Sequence, residues 1–247
     1  MARWHPYYKW KCPDFLFYER HEFGNSYGMD IVIAGGHGKI AMRLHPLLVE
    51  RGHRVRALIR SPDQENDVRS AGAEPVVCDM EMHDDLSEHV DGADMVVFAA
   101  GAGPGSGAAR KWTVDRDCAI KLMRAATKKG IRGYLMISAI NVEEPRGNEV
   151  FQAYCKAKAE ADYSLKQSGL DYTIIRPGRL TDEPGTGRVS ISPRLPRGSI
   201  SRDDVAAVIA EIPDIPAVIG RQFDLTSGDV PIRDAVMYFD GDEQGRV

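Results

Sequence analysis

Two stretches of this 247-residue chain hold residue types whose spacing suits chemistry. The first is Gly35-Gly36-His37-Gly38-Lys39-Ile40-Ala41, set between an apolar run at 30–34 and a helix-like segment at 38–51. Glycine permits positive φ in a tight turn and lets a pyrophosphate approach the backbone. The helix that follows points unpaired N–H groups and its positive dipole end at the phosphates. Ala41 is small enough for that helix to pack close to the strand. After a first strand and inside a βαβ unit, the pattern signals dinucleotide binding. The second stretch is Tyr154-x-x-x-Lys158. On a helix the two residues share a face. A phenol is a poor acid–base catalyst at neutral pH, and a neighbouring ammonium makes its phenolate less costly. Tyr7-x-x-x-Lys11 repeats the spacing, so context decides. Tyr154 starts the helix after a fifth strand that ends at Ser138, and in open parallel sheets such strand ends face the ligand crevice.

The end of the second strand selects between cofactors. An acidic residue there would hold the ribose 2′-hydroxyl of NAD, but "ALIRSP" places Arg60 and Ser61 at that point. A guanidinium suits a 2′-phosphate, which favours NADP and leaves NAD open. His37 adds to this preference. Asp79 and Met80, just after the third strand, stand where the adenine edge would lie. A solvated loop arginine is the competing reading of Arg60, and a plain turn aspartate that of Asp79.

These residues need a frame. Apolar runs recur at 30–34, 53–59, 74–78, 94–100, 132–138, 171–176 and 221–225, several of them near-continuously apolar, as strands buried on both faces are. Helix-like segments lie between them at 38–51, 62–71, 84–90, 110–129, 150–168 and 202–211. Gly52, Gly72, Gly130 and Gly169 mark helix ends. The alternation predicts an α/β fold, a doubly wound parallel sheet of the Rossmann kind, as one domain over 29–247 with short C-terminal elements on the substrate side. The stretch 177–200 reads as one long irregular loop, a functional candidate. The composition, 43% hydrophobic and 28% charged, suits a globular core. The net charge of −4 gives no case for a nucleic-acid or membrane partner. Cys12, Cys78, Cys118 and Cys155 are scattered without CxxC spacing, so no metal site or disulfide framework is indicated, and free thiols fit a cytoplasmic protein.

From Met29 onward the chain resembles the atypical short-chain dehydrogenase/reductases, the branch holding NmrA-like proteins, biliverdin/flavin reductases and small bacterial epimerase/dehydratase-like proteins. The likeness rests on "AGGHGKIA", "FAAGAG" (98–103), "MISAI" (136–140), Tyr154 with Lys158, "YTIIRPGRLTDEPGTG" (172–187) and "SISRDDVAAVIAEI" (199–212), the last two being the more specific. Together they span nearly all of 29–239. The resemblance implies that Ser138 polarises a carbonyl, Tyr154 is the acid–base, and Lys158 holds the nicotinamide ribose and lowers the tyrosine pKa. It implies that Ala99, Ala100 and Gly101 pass the adenosine ribose, and Pro177 and Gly178 the nicotinamide end. Ala99-Ala100-Gly101 replaces the Asn-Ala-Gly of many members, and little chain follows the seventh strand. The expected activity is hydride transfer between NADP and a small carbonyl, quinone or flavin by a monomer or homodimer. Sugar epimerase or dehydratase chemistry and a non-catalytic NADP(H)-sensing regulator are the alternatives, and in the last Tyr154 is only a packing aromatic. The pocket is expected from 101–110, 139–150 and 179–200.

Residues 1–28 carry nine of the 19 aromatics with neither helical nor strand periodicity. They read as a poorly ordered leader, and the alternative is an aromatic arm that packs on a partner or covers a pocket. A 29–247 chain is therefore expected to match the full chain in melting temperature and cofactor affinity. A drop of several degrees, or weaker cofactor binding, would show that the aromatics pack on the domain.

Overall fold

The computed structural model describes residues 28–103 and 105–240, so the leader lies outside the described residues. Seven strands run parallel: β1 (Asp30–Ala34), β2 (Arg54–Ile59), β3 (Glu74–Val77), β4 (Met95–Phe98), β5 (Gly133–Ile137), β6 (Asp171–Pro177) and β10 (Arg221–Ser227). Their order across the sheet is β3-β2-β1-β4-β5-β6-β10. Each expected apolar run supplies one of them. Strand order reverses between β1 and β4, which opens a crevice above their C-terminal ends.

Burial explains the apolar runs. Within β1, Ile31 and Ile33 face one core while Val32 and Ala34 face the other. The first core takes Leu44 and Leu48 of α1 (Ala41–Glu50), Val68 of α2 (Glu65–Ser70), Val205 and Ile209 of α7 (Arg202–Glu211) and Val236 of α8 (Ile232–Met237). The second takes Val90 of α3 (Ser87–Val90), Leu122 and Met123 of α5 (Ala119–Lys128) and Ala161 and Leu165 of α6 (Glu149–Lys166). A strand apolar on both faces is the signature of a sheet covered on both sides.

Two departures from expectation concern the C-terminal half. The stretch 177–200 is not one irregular loop. It holds β7 (Arg179–Thr181), β8 (Arg188–Ser192) and β9 (Ser199–Ser201). β7 and β9 form a small parallel sheet, while β8 runs antiparallel to β10 and pairs with β11 (Val230–Pro231) at the sheet edge. These strands have only three to five residues and are broken by Pro and Gly, so periodicity has too few positions to register. Secondly, the expected helix at 110–129 begins as α4 (Ala108–Arg110), passes through a π-helical segment, Lys111–Cys118, and continues as α5. Such insertions often mark functional sites.

The glycine turn is fixed sterically. Gly35 has φ +80°, and a Cβ there would lie 2.6 Å from Ala100 Cα. Gly36 has ordinary φ, yet its Cβ would lie 2.5 Å from Ala57 Cβ. Gly36→Ala is expected to cost about 1–3 kcal/mol through overpacking. Gly107→Ala, where a Cβ meets nothing within 4 Å, is the control. Thermal unfolding checks this: equal melting temperatures for the two variants would remove the steric requirement at Gly36.

Candidate cofactor and active site

The crevice at the strand ends holds three adjoining cavities. The first, about 540 Å³, is walled by the glycine turn and the ends of β2, β3 and β4. The second, about 470 Å³, shares Ile40, Ala99, Ala100, Gly101 and Gly103 with it. The third, about 630 Å³, shares Ser138, Phe151, Tyr154 and Leu180 with the second. A continuous trough thus runs from Arg60 to the tyrosine, over the switch point where a dinucleotide lies in such folds.

Most of the expected residues line it. Gly35, His37, Gly38, Lys39, Ile40, Arg60, Asp79 and Met80 border the first cavity, and Ala99, Ala100 and Gly101 border the first and second. Ser138 and Tyr154 stand between the second and third, Lys158 borders the second, and Pro177 and Gly178 border the third. Gly36 and Ser61 do not. Gly36 packs on Ala57, and its carbonyl accepts a 2.7 Å hydrogen bond from Nε2 of buried His45. Burial holds the His45 pKa down, so the ring is neutral and donates. The Ser61 hydroxyl donates to Asp63 instead of reaching the cavity. His37 is also partly diverted: its Nε2 lies 2.8 Å from Asp67. Arg60 is exposed, with its N–H on Gln64 Oε1 at 3.1 Å.

Beneath Ser138 and Tyr154 lies a buried charge network. Lys158 is 3% exposed, and its Nζ donates to the Ile137 carbonyl at 2.9 Å and lies 3.5 Å from Asp115 Oδ1. Ser138 Oγ donates to Asp162 Oδ2 at 2.7 Å. Desolvation raises the Asp162 carboxyl to about 6, with the Ser138 hydrogen bond, Lys158 and Arg176 opposing. Tyr154 is half-buried and packs on Phe151, with Lys111 Nζ 5.6 Å from its ring centroid. Burial raises its phenol above the ordinary value, and the negative charges of Asp115 and Asp162 add to this. The expectation that Lys158 lowers the tyrosine pKa therefore does not hold in this structure. The ammonium is held by Asp115 and the Ile137 carbonyl, and burial of the phenol, with the two carboxylates adding to it, sets the direction.

The motif "RPG" braces the same face. Arg176 donates to Glu143 at 2.7 and 2.6 Å and to the Ala139 carbonyl at 3.2 Å, and buried Asp224 lies 3.2 Å from its Nε. "DEPGTG" and "SRDD" are one unit. Ser201 caps α7, while the carboxylates of Asp203 and Asp204 accept from the N–H groups of Gly185, Thr186 and Gly187 at 2.8–3.1 Å. Asp182 of that loop reaches Lys39 at 2.7 Å and Arg202 at 2.9 Å across the trough.

Sequence reasoning missed Asp162, Asp115, Lys111 and Arg202 as site residues, and reached Arg110 only as the end of the expected pocket segment 101–110. Asp162 had a signal, since Tyr154, Lys158 and Asp162 are spaced by four and share one helix face. Asp115 had none, because the π-helical segment that turns it inward breaks the ordinary period. Arg110 lines the first cavity and is held by Glu81, whose carboxyl it keeps below the usual range. No described helix is long and apolar enough to cross a membrane.

Comparison with known proteins agrees with this geometry. A family model described as NAD(P)H-binding matches residues 35–216. An "uncharacterized sugar epimerase", YhfK of Bacillus subtilis, is 40% identical over 84% of this chain and 99% of its own length. A solved structure of a "putative NAD-dependent epimerase/dehydratase" from Bacillus halodurans superposes with TM-score 0.81 at 40% identity, over 85% of this chain and 99% of that one. The oxidoreductase ylbE of Lactococcus lactis superposes with TM-score 0.74 at 28% identity, over 84% and 95%. With glycine turn, trough and sheet order in agreement, the chain belongs to the NAD(P)H-binding family of Rossmann-fold proteins, in its epimerase and reductase class.

Proposed function

We propose that the chain is an NADPH-dependent reductase of a small carbonyl, quinone or flavin acceptor. The observation that carries this is the trough itself. It leads from an arginine at the β2 end to a half-buried tyrosine and a serine hydroxyl at the mouth of a separate 630 Å³ cavity. When bound, the dihydronicotinamide supplies the hydride, and the protein supplies orientation and a proton. Lys39 and Arg202 stand beside the glycine turn as cations for the pyrophosphate, and Arg60 as the partner of a 2′-phosphate. Lys158, which borders the second cavity, would serve the nicotinamide ribose.

The Ser138–Asp162 pair governs the proton. While Asp162 is ionised it accepts the Ser138 hydroxyl, and that proton is not offered to an acceptor oxygen. Once protonated, Asp162 can donate to Ser138 Oγ, which frees the serine proton for the cavity. Asp162 thus acts through Ser138 as a positioning residue. Tyr154 is the second donor, protonated at neutral pH as an ordinary phenol is, with burial raising its pKa further.

One observation favours the epimerase reading. Arg146, Arg179, Arg197 and Arg202 line the third cavity against a single carboxylate, Glu144. That excess of positive charge suits an anionic substrate such as a nucleotide sugar, with hydride returned to the same molecule. A panel of acceptors with NADPH separates net reduction from epimerisation, and no turnover of either kind favours a cofactor-sensing protein.

NADPH is expected to bind at least ten-fold more tightly than NADH, through a charge-assisted contact worth about 1.5–3 kcal/mol. Fluorescence titration of both cofactors checks this, and Arg60→Ala should remove most of the difference. Equal affinities in the parent would refute the NADP assignment.

With an active acceptor, Tyr154→Phe should keep NADPH affinity and lower turnover by roughly 10²–10⁴-fold. Lys158→Ala should damage both. Ser138→Ala should mainly lower turnover. In the parent, reduction should slow as pH rises through about 6, as Asp162 loses its proton. Asp162→Asn keeps a hydrogen-bonding partner for Ser138 but cannot titrate, so that limb should vanish. An unchanged pH profile in Asp162→Asn would show that the carboxyl plays no part in proton supply.

A further inference from the structure

Beside the first cavity, three side chains from consecutive segments converge. Cys78 directly follows β3, His83 lies in the loop after it, and His89 is in α3. One ligand atom of each, the Cys78 Sγ and a ring nitrogen of each histidine, falls within 4.8 Å of the other two. The rings of His83 and His89 meet edge to face, with centroids 5.2 Å apart. Among the described residues, no hydrogen bond occupies a ring nitrogen of either histidine. The spacing is Cys78-x4-His83-x5-His89. A search for CxxC pairs does not find it, because two of the three groups are imidazoles.

We propose that Cys78, His83 and His89 bind one zinc ion. The donor set decides the metal class. One thiolate and two imidazoles are borderline to soft ligands, suited to Zn²⁺ and ill-suited to the oxygen-seeking Mg²⁺ or Ca²⁺. Zn–S and Zn–N bonds of about 2.3 and 2.0 Å put ligand atoms of a tetrahedral site roughly 3.3–3.6 Å apart. Closing from within 4.8 Å takes side-chain rotation of the buried Cys78 thiol, the exposed His83 ring and the partly buried His89 ring. The backbone that carries them is already held. Lys121 Nζ donates to the carbonyls of Met80 and His83 at 3.2 and 2.7 Å. The Asp79 carboxylate accepts from the Glu81 N–H at 3.1 Å, and the Asp85 carboxylate accepts from the Ser87 N–H at 2.9 Å. The segment from 79 to 87 is thus held by hydrogen bonds of its own. Binding forms one Zn–S and two Zn–N bonds and releases the Cys78 thiol proton to solvent, while the imidazoles bind neutral. Water takes the fourth position on the exposed His83 side.

The site adjoins the cofactor cavity, which Cys78 also lines. Zinc and dinucleotide therefore share one wall, and any effect of one on the affinity of the other must be reciprocal.

The test uses the full chain after chelator treatment and dialysis. Zn²⁺ titration by calorimetry is expected to show one tight site per chain, and Co²⁺ to show the visible bands of tetrahedral coordination with a sulfur-to-cobalt charge-transfer band. Cys78→Ser should abolish that band, and His83→Gln and His89→Gln should each weaken binding by more than about ten-fold. Circular dichroism confirms that each variant is folded, and His89→Gln serves if Cys78→Ser is not. The chain also holds His5, Cys12 and His21, so binding that persists at parental affinity in Cys78→Ser and His89→Gln places the ion elsewhere and overturns the proposal. Absence of stoichiometric Zn²⁺ binding overturns it equally.

Discussion

The turn after β1 has no room for a side chain at positions 35 and 36, and the rest of the site depends on that. The chain leaves β1 at the point where the sheet's order reverses, between β1 and β4. It must pass within contact distance of Ala57 on one side and Ala100 on the other. Glycine at 35 and 36 is the only solution that leaves both neighbours in place. The small residues on the other side, Ala57, Ala99 and Ala100, are the matching half of the constraint. A larger side chain at 100 would press on Gly35. His45 completes the turn by tying the Gly36 carbonyl from inside α1, where Pro46 has already removed one helical N–H. The start of α1, and with it the anion-binding helix end, is thereby set against the first cavity.

A second constraint lies under the other end of the trough. Asp115, Lys158 and Asp162 are each at most 4% exposed. A buried ion pair gives little net stability, because desolvation offsets its attraction, whereas breaking one is costly. Core stability alone would be served better by apolar residues. The cluster makes physical sense as electrostatics for the groups above it. One carboxylate accepts the serine hydrogen bond, another pairs with the lysine, and the phenol is left neutral. The tyrosine is then a hydrogen-bond donor rather than a ready-made base, which suits reduction better than oxidation.

Most of the frame was legible in the sequence because its signals are local. Seven apolar runs and four glycine-terminated helices reappear in their expected order, and α7 matches its expected bounds, 202–211. The glycine turn and the Tyr154–Lys158 pair were legible for the same reason: spacing along one element carries the information. What stayed hidden depends on contacts between elements. β7 and β9 are three residues each and exist only by pairing with one another. Asp115 reaches Lys158 from another helix through a π-helical segment. Ser61 looked like a cofactor contact from its place at the strand end, but Asp63, two residues on, takes its hydroxyl.

The loop between β7 and β8 joins the two ends of the trough. Its Asp182 carboxylate is shared by Lys39 of the glycine turn and Arg202 at the start of α7, while Asp203 and Asp204 hold its far side through backbone N–H groups. The two kinds of contact differ in strength. Carboxylate bonds to the N–H groups of Thr186 and Gly187 come from buried Asp204 and are charge-assisted. The Asp182 pairs are half-exposed, a class worth about 0–1 kcal/mol. The loop is therefore anchored firmly on α7 and only lightly on the glycine turn. Lys39 and Arg202 are held at the cavity by a partner that costs little to replace. A bound phosphate, with more charge and better geometry, would take both cations without disturbing the anchor. Arg202 borders the first and third cavities alike, so in the proposed function the same exchange would tie cofactor binding to the wall of the third cavity.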